Sequence, residues 1–171
     1  MLPRWLRSVA ELDRDPTTPG LDKLAPPAGS EPRRASVLVL FGDGADGPHV
    51  LLLERAHDLR SHAGQVAFPG GAQDLDDADE VAAALREAEE ETGVDPRGIA
   101  IIGTLPPIWL PPSNFAVTAV VGWWHTPVAV HAVDPAETAS VHKVTLGELL
   151  DPANRVRVRH PSGYVGPAFC V

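Results

Sequence analysis

The chain has 171 residues, 44% of them hydrophobic, and a formal net charge of −9, enough apolar material to bury the core of one soluble domain. Residues 71–93 hold nine acids against one base, Arg86, a balance of −8 that leaves −1 for everything else. So local a cluster calls for a cation, and the lack of a basic footprint argues against duplex nucleic acid as a partner.

In chain order, Trp5, Leu6, Val9 and Leu12 fall at helical intervals and predict a small leading helix. The proline- and glycine-broken run "DPTTPGLDKLAPPAGSEP" follows as a wrapping loop, so residues 1–34 form a lead-in to a domain that takes in all of 1–171. The N-terminus lacks the apolar core of a signal peptide, and no run approaches about 18 apolar residues, so no membrane partner is expected. Cys170 has no second cysteine to pair with, which agrees with a cytoplasmic protein.

"ASVLVLFG" and "HVLLLERA" flank "DGADGP" and predict two strands joined by a turn, apolar enough to be buried on both faces. "VAFPGG" reads as a short strand ending in a glycine turn. "DADEVAAALREAEEETG" is the clearest helix: Asp77 or Asp79 can cap its start, alanines fill it and Gly93 stops it. Val81, Ala84, Leu85 and Ala88 share the face that packs on a sheet. Strands are expected in "GIAIIGTL" and "FAVTAVVGWW", separated by the stiff loop "PPIWLPPSN". "SVHKVTL", a short helix at "GELLD" and strands near "RVRVRH" and "YVGPAF" complete the chain. Several strands with few helices define an α+β chain, a mixed β-sheet sandwiched between α-helices.

Glu87, Glu90 and Glu91 stand at i, i+3 and i+4 and project from one helical face. Like charges so placed repel, at a cost of about 0.2–0.5 kcal/mol per pair on an isolated helix. Three convergent carboxylates suit Mg²⁺ or Mn²⁺, whose charge offsets the repulsion. A solvated acidic face is the bland alternative. Arg86 can reach Glu90 at i+4 and hold its carboxylate, and the glycine turn "FPGG" lets backbone carbonyls approach a metal.

Glycine turn, spacing and "REAEEETG" together resemble the signature of the Nudix hydrolase superfamily, which closes on Arg-Glu-x-x-Glu-Glu-x-Gly, here Arg86, Glu87, Glu90, Glu91 and Gly93. From Gly71 to Arg86 the spacing is one residue longer than the general signature, and its first glutamate is missing. The coenzyme A diphosphatase subgroup resembles this chain in that longer loop. It also resembles the upstream block "LLLERAHDLRSHAGQVAFPGG", through Arg55, Arg60, His62, Gly64, Gln65 and Phe68 to Gly71, with Leu53 where threonine is usual. Asp74, Asp77 and "PPSNF" add to the likeness.

The resemblance implies a Nudix fold that hydrolyses a nucleoside diphosphate linked to another moiety. Coenzyme A or acyl-coenzyme A would yield 3′,5′-ADP and 4′-phosphopantetheine; ADP-ribose or a dinucleoside polyphosphate is the alternative substrate, and a non-catalytic nucleotide sensor the alternative class. Glu87, Glu90 and Glu91 would hold Mg²⁺ or Mn²⁺, with a carbonyl of Gly70 or Gly71 as a further ligand. Arg55 and Arg60 would grip phosphate, the alternative for Arg55 being an ion pair with a loop aspartate. His62 would contact phosphate or bond within its turn, and Gln65 would join the substrate site. Glu87, Glu91 and Glu137 are candidates for the base. Trp109, Trp123 and Trp124 would stack on adenine or pack in the core. Members of the subgroup continue past the point where this chain stops, so a C-terminal helix is expected to be absent and a homodimer to cover the gap.

Overall fold

A computed structural model describes residues 2–7, 24–59, 62–159, 163 and 165–170. An eight-stranded mixed sheet forms the frame, with path β3-β2-β1-β7-β5; β4 adds to β1, β6 to β7 and β8 to β2. Its strands are β1 (Arg33–Gly44), β2 (Gly47–Arg55), β3 (Val66–Ala67), β4 (Gly70–Ala72), β5 (Ile99–Thr104), β6 (Ile108–Leu110), β7 (Phe115–Trp124) and β8 (Thr138–Thr145). Among the described strands of this sheet, β1 and β7 pair parallel and the other pairs antiparallel.

β1 and β2 are joined at the turn but pair only from Phe41↔Val50 to Gly44↔Gly47. Beyond that they separate, and the segment carrying "VAFPGG" fills the split. β3 pairs with Leu53 and Glu54 of β2, β4 pairs with residues 35–37 of β1, and Leu38 N–H donates to the carbonyl of buried Pro69 at 2.8 Å. The expected single short strand is therefore two, one on each lip of the split. The proline breaks the ladder between them because it has no N–H to give.

Helix α1 (Glu80–Thr92) lies over this split, against β1, β4 and β7. Asp79, of the two candidates, is the N-cap: its carboxylate accepts Ala82 N–H at 2.8 Å, and Gly93 ends the helix with φ 69°. Ala84 and Ala88 are fully buried against Leu38, Leu40, Leu51, Val120 and Trp124, with Val81 and Leu85 packed at the margin. Small alanines let the helix axis come close to the sheet, which brings the adjoining acidic flank, Glu87 and Glu91, onto the glycine turn. β1 alternates buried and half-buried positions, whereas the middle of β2 is buried throughout; the expectation of burial on both faces holds for β2 alone.

The second helix, α2 (Leu146–Leu150), is one turn and a half with a capping box between Thr145 and Glu148. Strands β9 (Arg155–Arg159) and β10 (Val165–Phe169) pair antiparallel in a separate two-stranded sheet. The loop "PPIWLPPSN" hides a strand, β6, which pairs antiparallel with β7 despite prolines at both ends. Of the leading helix, the described part is a 3-10 turn at Arg4–Leu6; residues 8–23 lie outside the described residues. No described helix is long and apolar enough to cross a membrane.

Candidate active site

The acidic flank of α1 meets the glycine turn at two points. Gly70 N–H donates to Glu91 Oε2 at 2.9 Å. Gly71 is covered by the Glu87 carboxylate, which would lie 2.6 Å from a Cβ added there. Glycine at 71 is thus what lets the carboxylate rest on the turn, and at 70 a Cβ would strike the Ser36 carbonyl oxygen and the backbone of Val37.

Arg86 knits the other side. Its Nε and Nη2 donate to the two oxygens of Asp77 at 3.1 and 2.9 Å, its Nη1 to Glu87 at 3.0 Å and Glu90 at 3.1 Å, and its Nη2 also to the Ala72 carbonyl at 3.2 Å. The expected reach to Glu90 is present, but Asp77 receives the two-pronged grip. That hydrogen bond is the chief reason the Asp77 carboxyl lies below the usual carboxylate range, and the Arg86 proton is held correspondingly tighter.

Burial dominates the electrostatics of the two carboxylates on the turn. It raises Glu87 above its ordinary value, with Arg86 opposing and Glu90 and Asp74 reinforcing. It pushes Glu91, 8% exposed, up to about 7, where the Gly70 N–H and Arg55 oppose and Glu87 and Glu137 reinforce. Arg55 Nη1 is 3.9 Å from Glu91 Oε1. Glu90, by contrast, is 59% exposed beside Arg86.

Two carboxylates raised by burial, Glu87 half-buried and Glu91 buried, the second with no cation among the described residues nearer than Arg55 at 3.9 Å, lie on a turn of bare backbone and fit a hard divalent cation that takes oxygen ligands. Glu87 and Glu91 with a carbonyl of the Gly70–Gly71 turn would hold it, Glu90 lying at the margin. Among the described residues no three His, Cys, Asp or Glu side chains are drawn together as a finished centre. The three glutamates are shared out between Arg86 and the turn rather than aimed at one point.

The upstream candidates divide. Arg55 joins the site through Glu91. His62 Nδ1 and Gln65 Oε1 are 2.8 Å apart, and Gln65 O and Gly64 N bond the backbone of Arg55, so this pair closes a turn that fixes Arg55 from behind. His62 takes φ 58° in that turn. Arg60 lies outside the described residues. Glu137 is carried to the site by its carbonyl, which accepts Ala56 N–H at 2.9 Å, and its charge bears on Glu91. Trp124, 1% exposed, belongs to the core, which removes it as a base-stacking candidate. Trp123 packs edge-on against Trp5, and Trp109 Nε1 donates to Asn114 at 3.2 Å. The grip of Arg86 on Asp77, nine residues away, has no signal in the sequence because only the folded loop brings the two together.

The two glycines give opposite expectations. Gly71→Ala presses only on the movable end of Glu87, so the chain should keep its melting temperature while Mn²⁺ affinity falls about tenfold or more. Gly70→Ala meets fixed backbone and should unfold the chain at lower temperature. Mn²⁺ titration followed by paramagnetic resonance, with thermal melts of both variants, checks this; equal melts would contradict it.

Residues 31–162 match the NUDIX domain, and the chain belongs to that family. Similar proteins include the "Uncharacterized Nudix hydrolase NudL" of Citrobacter koseri, 47% identical over 118 residues, 69% of this chain and 60% of that protein. NudL of Cronobacter sakazakii matches with the same identity and coverage. The matched region spans about 60% of the length of these curated relatives. Among solved structures, the Nudix hydrolase RenU of M. smegmatis superposes with a TM-score of 0.58 at 23% identity, covering 70% of this chain and 77% of that one. The NUDIX domain of Shewanella oneidensis NrtR, complexed with ADP ribose, gives 0.55 at 23%, covering 76% and 83%. A C. elegans Ap4A hydrolase gives 0.55 at 22%, covering 69% and 83%. At such identities the likeness speaks for the fold.

Proposed function

We propose that the chain is a divalent-metal-dependent hydrolase of nucleoside diphosphates linked to a second moiety, acting on coenzyme A or acyl-coenzyme A to give 3′,5′-ADP and (acyl-)4′-phosphopantetheine. The observation that carries the reaction class is the seating of Glu87 and Glu91 on the Gly70–Gly71 turn, with Arg55 beside them. The block from Leu51 to Gly71 favours the coenzyme A substrate through its resemblance to that subgroup, and the likeness to NudL relatives fits the same family.

Hydrolysis adds water across the phosphoanhydride: one P–O bond forms to the water oxygen, the bridging P–O bond breaks, and the departing phosphate takes a proton. A bound Mg²⁺ or Mn²⁺ supplies charge neutralisation for the diphosphate and acidity to water. The chain's own residues do the rest. Arg55 offers a planar fork of donors to a phosphate. The His62–Gln65 turn keeps its backbone in place. Arg86 holds the loop around Asp77 and steadies Glu87. With Glu87 and Glu91 engaged by a cation, Glu137 is the one of the three candidate bases left to receive the proton from water.

Incubation with coenzyme A and Mg²⁺ or Mn²⁺, with an EDTA control and ADP-ribose in parallel, tests this. Release of 3′,5′-ADP and phosphopantetheine only with metal is expected. Cleavage of ADP-ribose alone would keep the reaction and discard the substrate, while binding without cleavage of either would make the chain a nucleotide sensor.

A further inference from the structure

The β2–β8 ladder carries an irregularity beside Glu91. Glu54 pairs with Ser140, yet Arg55 pairs with Thr138, so Ala139 is surplus and the register shifts. A bulge of this kind re-aims neighbouring side chains. Residues paired across antiparallel strands project from the same face, so the shift sets the Thr138 side chain beside that of Arg55. This is the face of Leu51 and Leu53, both buried, and of α1 with Glu91.

Two polar atoms there are buried without a hydrogen-bond partner: Thr138 Oγ1 and Arg55 Nε. Thr138 is 1% exposed. Buried donors and acceptors are almost always paired, and a pair of orphans on facing positions calls for an explanation. The backbone of Arg55 is fixed, its N–H on Gln65 O at 3.0 Å and its carbonyl accepting Gly64 N–H at 3.1 Å. Among the described residues its guanidinium has the long 3.9 Å contact to Glu91. The backbone is thus anchored, while the head group, about a third exposed, has a long contact to Glu91 that a phosphate can replace.

We infer that Thr138 is the positioning residue for the phosphate-binding arginine: its hydroxyl receives the Arg55 Nε–H when the guanidinium leaves Glu91 for a phosphate of the nucleoside diphosphate. The inference rests on the diphosphate reading above. With Nε anchored on Oγ1, both Nη groups stay in one plane and meet two phosphate oxygens at once, the geometry in which arginine binds phosphate best. The Thr138 hydroxyl gives its own proton no role in the chemistry; it acts through Arg55.

Thr138→Val keeps the shape and removes the hydroxyl, and Thr138→Ser keeps the hydroxyl. For wild type and both variants, KM and kcat are measured on the nucleotide that is turned over, the Kd of ADP by calorimetry, and the Tm. Thr138→Val should raise KM and Kd about fivefold, the scale of one charge-assisted hydrogen bond partly offset by water, with kcat changed less than about twofold and Tm not lowered. Thr138→Ser should restore both. In an Arg55→Lys background Thr138→Val should add nothing, since lysine brings no Nε–H to that point. Unchanged KM and Kd in Thr138→Val, or an equal rise in the Arg55→Lys background, overturns the inference. Wild type that binds ADP but cleaves no nucleotide would remove the hydrolase reading and leave Kd to decide on Thr138; wild type that binds no ADP removes both.

Discussion

Glu91→Gln is expected to lower metal-dependent turnover by about a hundredfold or more, while the chain melts no earlier than wild type and, free of metal, melts later. Glutamine keeps the size and an oxygen for the Gly70 N–H at 2.9 Å, so the contact with the turn survives. What is lost is negative charge at the point where burial, Glu87 and Glu137 already resist it. The stability consequence has a definite sign. A carboxyl raised from an ordinary value near 4.3 to about 7 stabilises the fold while protonated, and that stability is lost as the pH rises through about 7. Wild type and Glu91→Gln should therefore melt alike in EDTA below about pH 4, with the variant pulling ahead between there and neutrality and keeping its lead above it. Thermal melts over that range, paired with turnover in Mn²⁺, separate the two effects. A variant that melts earlier at neutral pH would show that Glu91 is a structural acid instead of one held uncomfortably for a cation.

What the sequence discloses divides by whether a feature has local or long-range causes. Helix α1 is legible because its determinants are its own: a capping aspartate, alanines at the sheet-facing spacing and a terminal glycine all lie within Asp79–Gly93. β7 matches its expected span from Phe115 to Trp124 because a long apolar run leaves little choice. β6 was obscured by the prolines around Ile108–Leu110, which remove N–H groups but do not stop the remaining ones from pairing with β7. The motif placed Glu87, Glu91 and Gly71 in one region, and the split between β1 and β2 is the physical reason they meet. It could not disclose that Arg86 reserves its fork for Asp77, that His62 turns to Gln65, or that a bulge sets Thr138 against Arg55. Each of these depends on how loops and registers close in space, which residue spacing along the chain does not encode.

Arg86→Met should cost both stability and activity, and the two losses have separate origins. Methionine keeps an apolar stem against the helix but removes five donated hydrogen bonds, to Asp77, Glu87, Glu90 and the Ala72 carbonyl. Those acids then face one another and Asp74, 3.6 Å from the same guanidinium, with no cation between them. A fall in Tm of roughly 5 °C is expected at neutral pH, the scale of about one charge-assisted hydrogen bond in a chain of this size. Turnover should fall about tenfold or more as Glu87 loses its support. The pH dependence identifies the cause. Asp77 is held below the ordinary carboxylate value by Arg86 first and by the Asp74 N–H second, so its contribution is present above about pH 4 and is lost as the pH falls further. The gap in Tm between wild type and Arg86→Met should accordingly narrow as the pH falls below the ordinary carboxylate value of about 4. Arg86→Lys should recover part of the neutral-pH stability, since it restores charge, but not the two-pronged grip on Asp77. A gap that stays constant into acid would mean that Arg86 serves by packing its stem, and the loop that carries Asp77 would have to be held by other contacts.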